Sequence, residues 1–310
     1  MKYKILLTST SFQDTPGSHQ TFLEEQGFEI VKLRGPLLEK DILNVIEDFD
    51  GIICGDDEIT RDVIIKGVSN KLKVISKYGI GLDKIDLNTA KEFNLVVTNC
   101  PGVNQVTVAE HVFSLLLSFS KNIIPENNFV QNNTWERLIG FELYNKTIGI
   151  IGTGNVGKEV IKRAKVFGMH VLAFDKFPDF NFSSKYDFKY CNSLEELLKS
   201  SDIISLNLSL TNESIKLIGF NELKVVKQGL VIINTARAGL IDQDAIISGL
   251  DSGIIKGYLT DVLDTEPIVP GHPLLGRSNV IITPHIGSRT FENVVNQGTL
   301  AVQNLVNNLN

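Results

Sequence analysis

Cysteine is scarce in this chain: of 310 residues only Cys54, Cys100 and Cys191 are cysteines, far apart and without metal-type or redox-type spacing. That excludes a disulfide-stapled module and a cysteine-held metal, so no metal centre is expected and the thiols read as buried or incidental groups of a reducing compartment. A basic excess is also lacking. The net charge of -6 offers no positive field to a nucleic-acid backbone. No apolar run approaches the length of a membrane span, and the opening "MKYKILLTSTSF" turns polar too soon for a signal peptide. Short repeats and low-complexity tracts are missing too. These absences point to a cytoplasmic globular protein that binds neither nucleic acid nor membrane.

Short apolar runs alternating with amphipathic stretches fill the chain instead, the pattern of helices packed on parallel sheets. In the first part "YKILLTS", "FEIVKL", "GIICG", "KVISKYG" and "LVVTN" read as strands, with helical segments such as "LEKDILNVIEDF" between them. A long, largely apolar helix, "TVAEHVFSLLLSFSKNI", follows "CPG"; such a helix is buried between layers or subunits. The polar stretch "PENNFVQNNTWERLIGFELYNK" reads as loop, which places a domain junction near residues 100 to 145. The strand pattern then restarts with "KTIGIIG", "MHVLAFD", "DIISLNL", "LVIINTA", "KGYLTDVL" and "VIITPHIG", before a final amphipathic helix, "TFENVVNQGTLAVQNLVNNLN". The expected fold class is α/β, with two doubly wound parallel-sheet domains.

The segment "TIGIIGTGNVGKEVIKRAKVFGMHVLAFD" sets Gly152, Gly154 and Gly157 as G-x-G-x-x-G at a strand-to-helix turn. The first glycine permits the tight turn, the second lets a pyrophosphate approach the backbone, and the third lets the helix sit close to the sheet. Amides at the helix start, around Thr153, Asn155 and Val156, face the anion. A strand later, Asp175 is placed to accept hydrogen bonds from ribose hydroxyls and to repel the extra phosphate of NADP. Strand, loop, helix, strand and acid in this order predict a dinucleotide site, with NAD as the cofactor; Lys176 beside Asp175 would soften the preference.

Downstream lie three polar residues at strand ends: Arg237 in "NTARAG", Glu266 in "TDVLDTEP" and His285 in "ITPHIGS". Ligands of open parallel sheets sit at the carboxyl ends of strands. Singly, Arg237 reads as well as a structural ion pair, Glu266 as a turn carboxylate and His285 as a satisfied core histidine. Together they suit reduction of a 2-oxo acid. A histidinium donates the proton, a glutamate holds it charged, and an arginine forks to the carboxylate and the carbonyl.

The series "GTGNVG", "NTARAG", "DVLDTEP", "HPLL" and "TPHIG", with "SKYGIGLDKIDL" and "TNCPGVNQVTVAEH" upstream, resembles the D-isomer-specific 2-hydroxyacid dehydrogenase family over nearly the whole chain. The resemblance implies that Arg237, Glu266 and His285 are catalytic. It implies that the backbone around Tyr78, Gly79 and Ile80 holds the substrate carboxylate, that Asp261 binds the nicotinamide carboxamide, and that Thr235, Ala236, Arg237 and Gly287 line its ring beside His285. It also implies a flavodoxin-like substrate domain, residues 1–100 plus 286–310, and a Rossmann domain, 101–285, with the cleft between them. The long helix from Val106 would contribute to a homodimer, with Trp135 at the junction or dimer contact. One departure is "LNLSLTNES", where Asn207 and Ser209 replace the family's usual histidine and proline near the adenine.

Within the family, "LKVISKYGIGLDKIDL" is most similar to short 3-phosphoglycerate dehydrogenases without a regulatory domain, and a chain stopping at Asn310 agrees with that. The expected reaction is hydride transfer between NAD(H) and a small D-2-hydroxy or 2-oxo acid, foremost 3-phosphoglycerate, with Lys77 near its phosphate. Asp56, Asp57 and Glu58 in the next loop would oppose a phosphate unless they face solvent. Hydroxypyruvate or glyoxylate reduction therefore stays open, as does an NAD-sensing interaction protein. Phosphite oxidation is disfavoured by Ile80, where a lysine would be expected. His19, His111, His170 and His272 read as structural or surface residues.

Overall fold

The computed structural model describes residues 2–309, which divide into two compact units, one running to Asn104 and resuming at Ser288, the other spanning Gln105–Gly287. In the first, β1 (Lys4–Leu7), β2 (Glu29–Lys32), β3 (Gly51–Cys54), β4 (Val74–Lys77) and β5 (Val96–Thr98) form one parallel sheet in the order β2-β1-β3-β4-β5. This is the flavodoxin-like winding. Its central strands β3 and β4 are buried at every position because both faces are covered. Ile5, Leu7, Ile53 and Val74 meet Ala301, Val302 and Leu305 of the helix Phe291–Leu309 on one face. On the other, Leu6, Ile52 and Ile75 meet Ile42, Val63 and Ile64 from helices Glu39–Leu43 and Arg61–Val68. Burying a Leu or Val side chain contributes about 1.5–3 kcal/mol, so this last helix is a principal stabiliser of the unit.

The second unit carries β6 (Thr147–Ile151), β7 (His170–Phe174), β8 (Lys189–Tyr190), β9 (Ile203–Leu206), β10 (Leu230–Asn234), β11 (Ile255–Thr260) and β12 (Val280–Ile282). All pair in parallel, in the order β12-β11-β10-β9-β6-β7-β8, which is the Rossmann winding with its switch point between β6 and β9. The helix Gln105–Ser120 buries Ala109, Val112, Phe113 and Leu116 against Ile148, Ile150 and Val231. Among the described residues no helix is long and apolar enough to cross a membrane.

Three local expectations are corrected. The segment "LEKDILNVIEDF" is not one helix but the short helix Glu39–Leu43 and a 3-10 turn Ile46–Asp48, broken where Val45 swings to φ −131°. The stretch from Pro125 is not all loop: its first residues belong to the helix Ile123–Gln131, where Pro125 is tolerated because it sits in the first turn. The two-residue strand β8 lies where no strand was expected. All three cysteines are buried and unbridged, and burial pushes the Cys54 thiol up to about 12, away from reactivity.

Candidate active site

The glycine loop follows directly from β6. Gly152 has φ +90°, and a side-chain carbon there would meet the Asn207 carbonyl at 2.6 Å. At Gly157 a methyl group would lie 2.1 Å from the Gly152 carbonyl oxygen, so the helix Asn155–Val166 approaches the strand as closely as only glycine allows. Gly154, by contrast, has open space within 4 Å of its missing side chain, and the helix start carries no side-chain cap. The amides of Asn155, Val156 and Gly157 therefore border a space suited to an anion.

Asp175 is fastened to this loop. Its Oδ2 accepts from the Thr153 amide at 2.6 Å and from Thr153 Oγ1 at 3.0 Å, while Oδ1 accepts from the Phe177 amide at 2.8 Å. Because the Thr153 hydroxyl donates to Asp175, the 2.9 Å contact with Tyr190 makes Tyr190 Oη the donor to Thr153 Oγ1. Sequence reasoning missed Tyr190, whose two-residue strand has no signal of its own. Lys176 forms an ion pair with Glu213, and Lys158 pairs with Asp179 at 2.6 Å. Each of these cations is thus paired with a carboxylate other than Asp175. The uncapped amides, the open space at Gly154 and the fixed acid fit NAD. In the departing "LNLSLTNES" loop, Asn207 Nδ2 donates to the Ser205 carbonyl at 3.0 Å and the Ser209 carbonyl accepts from Ser214 Oγ at 3.0 Å.

At the carboxyl end of β10, Asn234 is fully buried and shapes the next turn. Its Oδ1 accepts from the Ala236 amide at 3.1 Å and its Nδ2 donates to the Arg237 carbonyl at 2.9 Å, bracketing Thr235 and Ala236. Arg237 is extended, with φ −146°, and its Nη1 donates to the Ala236 carbonyl at 2.7 Å. Asn234 was not foreseen, although a polar residue closing an apolar strand is the signal of such an Asx turn.

Glu266 and His285 come together. Glu266 Oε1 accepts from the Leu263 amide at 2.8 Å, and its Oε2 lies 2.8 Å from His285 Nδ1. A carboxylate at that nitrogen makes Nδ1 the donor in this pair. His285 stands at φ +54°, a left-handed conformation that costs a non-glycine residue about 1–2 kcal/mol. The loop bearing Glu266 is braced by buried His272, whose Nε2 lies 2.9 Å from Asp264 Oδ1 and whose Nδ1 accepts from the Leu274 amide at 3.3 Å.

The turn bearing His285 is held by Asp261, which is only 2% exposed. Its Oδ1 accepts from Thr283 Oγ1 at 2.6 Å and from the Ile286 amide at 2.9 Å, and its Oδ2 accepts from the Gly287 amide at 2.7 Å. Burial acts to raise this carboxyl. Hydrogen bonds from His111, Thr283 and the two amides outweigh it and hold the group below the usual carboxylate value. Asp261 thus anchors the turn through its own protein contacts.

In the first unit, Lys77 ends β4 and precedes Tyr78, Gly79 and Ile80. Its side chain is only 4% exposed, and its Nζ donates to the Gly55 carbonyl and, at 2.6 Å, to Asp56 Oδ1. The acidic loop is therefore neither solvent-facing as a whole nor turned away from Lys77. Asp57 is fully buried, accepting from Thr8 Oγ1, the Gly55 amide and the Leu37 amide, and Glu58 accepts from the Glu39 amide at 3.0 Å. Tyr78 is buried against Phe12, its amide donating to the Cys54 carbonyl, and Gly79 has φ +138°. Ile80 is partly exposed, its carbonyl accepting from Asn99 Nδ2 at 2.8 Å.

Residues 113–287 match the family model of the D-isomer specific 2-hydroxyacid dehydrogenase NAD-binding domain. A D-3-phosphoglycerate dehydrogenase of Archaeoglobus fulgidus is 33% identical over 288 residues, 92% of this chain and 54% of that one. A glyoxylate reductase of Korarchaeum cryptofilum is 32% identical over 291 residues, 91% of this chain and 87% of that one. The chain spans about half the length of the phosphoglycerate dehydrogenases it matches, and most of the length of the glyoxylate reductase. Among solved structures, the TT0316 protein of Thermus thermophilus superimposes with a TM-score of 0.87 at 34% identity, covering 98% of this chain and 96% of that one.

Proposed function

Because this chain belongs to the D-isomer specific 2-hydroxyacid dehydrogenase family, we propose that it transfers a hydride between NAD(H) and a small D-2-hydroxy acid or its 2-oxo partner. The observation that carries this reading is the 2.8 Å pairing of Glu266 with His285 Nδ1, which directs Nε2 toward a reactant. NADH, when bound, supplies the hydride to the carbonyl carbon. His285 Nε2 donates the proton to the carbonyl oxygen as negative charge develops there, and Glu266 favours the imidazolium that makes this possible. The Arg237 guanidinium holds the substrate carboxylate and polarises the carbonyl. Asp175 takes the ribose hydroxyls, and the amides from Thr153 to Gly157 take the pyrophosphate. Tyr78, Gly79 and Ile80 belong to the substrate-binding unit and Asp261 and Gly287 to the nicotinamide pocket.

The Lys77–Asp56 pair favours an unphosphorylated acid over 3-phosphohydroxypyruvate. A phosphate dianion needs charge-assisted donors, and the Lys77 ammonium expected to serve one is already paired with Asp56. Glyoxylate or hydroxypyruvate is thus the preferred substrate. Purified protein with NADH, then NADPH, should consume NADH faster with these acids than with 3-phosphohydroxypyruvate. Asp56→Asn should raise kcat/KM for the phosphorylated acid relative to glyoxylate by roughly tenfold. A wild-type preference for the phosphorylated acid would sink the substrate assignment. Silence on every 2-oxo acid, with NADH still bound, would sink the enzyme reading.

A homodimer accompanies this reading. The second unit exposes Trp135 at 75% and Ile139 at 98%, beside exposed Ile123, Ile124 and Val130, an apolar set costly to leave in water. Sedimentation equilibrium should return twice the 34.3 kDa chain mass, and Trp135→Asp should shift it toward the monomer.

A further inference from the structure

We infer that His111 is a positioning residue for His285, acting through Thr283 and Asp261. His111 lies on the helix Gln105–Ser120, its side chain 15% exposed. Its Nε2 is 2.9 Å from Thr283 Oγ1 and 3.4 Å from Asp261 Oδ1. The only proton of the Thr283 hydroxyl goes to Asp261 at 2.6 Å, so His111 Nε2 must be the donor to Thr283 Oγ1. One helical turn earlier, Thr107 Oγ1 donates to the Gly287 carbonyl at 3.3 Å. The same helix face thus grips both ends of the turn Thr283–Gly287, while Asp261 holds its Ile286 and Gly287 amides from below.

His285 sits between these anchors in its left-handed conformation, with its own amide donating to the Thr283 carbonyl at 3.0 Å. A backbone state that a histidine would not adopt unaided persists only where its surroundings over-determine it. The network supplies that restraint from three directions. Loosening it lets His285 relax and carries Nδ1 away from Glu266. Asp261 and Thr283 are seated at the ends of β11 and β12, and His111 is where the core-packed helix Gln105–Ser120 makes contact with them.

This inference rests on the reading of His285 as the proton donor, and its test separates the two. His111→Ala should lower kcat for glyoxylate about tenfold while KM for glyoxylate and the Kd for NADH change less than twofold. His111→Gln, which returns a donor nitrogen at the same reach, should recover most of the loss. Thr283→Val, which keeps the shape and removes the relay, should reproduce the defect even if His111→Ala fails to fold. Amide exchange gives a readout independent of turnover: the Ile286 and Gly287 amides should exchange at least tenfold faster in His111→Ala. Unchanged kcat and unchanged exchange overturn the positioning role, and failure of His111→Gln to rescue overturns its hydrogen-bond basis. A wild-type protein inactive on every 2-oxo acid, with exchange still accelerated in the variant, overturns the dehydrogenase reading alone.

Discussion

His285→Ala is expected to lower kcat for 2-oxo acid reduction by about 10²- to 10⁴-fold, or roughly 2.7–5.5 kcal/mol of barrier. Alanine removes the proton donor and leaves Glu266 Oε2 without the imidazole that it meets at 2.8 Å. The fold should persist, because both side chains are about one-third exposed and the turn keeps its anchors to Asp261. NADH titration by fluorescence should give nearly the wild-type Kd. The diagnostic pattern is a collapse of kcat with cofactor binding and thermal stability intact. Turnover at the wild-type rate would remove His285 from the chemistry and leave the Glu266 pair as a loop brace.

Gly157→Ala is expected to be the most damaging single methyl group in the second unit. The new carbon would stand 2.1 Å from the Gly152 carbonyl oxygen, on backbone that cannot rotate away. Either the helix lifts or the loop deforms, and both displace the amides that receive the pyrophosphate. Overpacking of this kind costs about 1–3 kcal/mol, so NADH should bind up to about a hundredfold more weakly and the melting temperature should fall. Gly154→Ala is the informative contrast. Its methyl group meets nothing within 4 Å, so stability should be unchanged while NADH affinity should still drop if the proposed pyrophosphate site occupies that space. Calorimetric titration alongside thermal unfolding separates the two, and a Gly154→Ala variant that binds NADH normally would move the pyrophosphate elsewhere.

What could be read from the sequence was what local chemistry specifies. Central strands announce themselves because runs such as "GIIC", or "LVII" before its closing Asn234, are apolar, as a doubly covered strand requires, whereas the two-residue β8 does not. Gly152 and Gly157 were legible because a tight turn and a close helix approach each demand glycine at one place. The helix Ile123–Gln131 was hidden by its asparagines, whose helical preference is weak; it starts afresh from left-handed Asn122, two residues after the preceding helix ends at Ser120. The contacts that tune the site were invisible for a different reason. Lys77 meets Asp56 across two strands, and His111 reaches Thr283 only after the intervening chain has wound the sheet. No spacing rule encodes such pairs, so their residues looked like loop acid and stray histidine.

The helix Phe291–Leu309 has a bearing on how the protein is made. It completes the first unit by covering Ile5, Leu7, Ile53 and Val74, and Ser76 Oγ is tied to its Ala301 carbonyl at 2.8 Å. A ribosome delivers those strands first and the helix last, with all of Gln105–Gly287 in between. At roughly 5–20 residues per second, that delay lasts on the order of ten seconds or longer. The later-synthesised unit is contiguous and has every one of its strands in hand before the earlier one can close. Nascent chains stalled before Phe291 should therefore hold a protease-resistant fragment from the middle of the sequence while their amino-terminal hundred residues remain open to digestion and to chaperones. The unit translated second is thus expected to close before the one translated first.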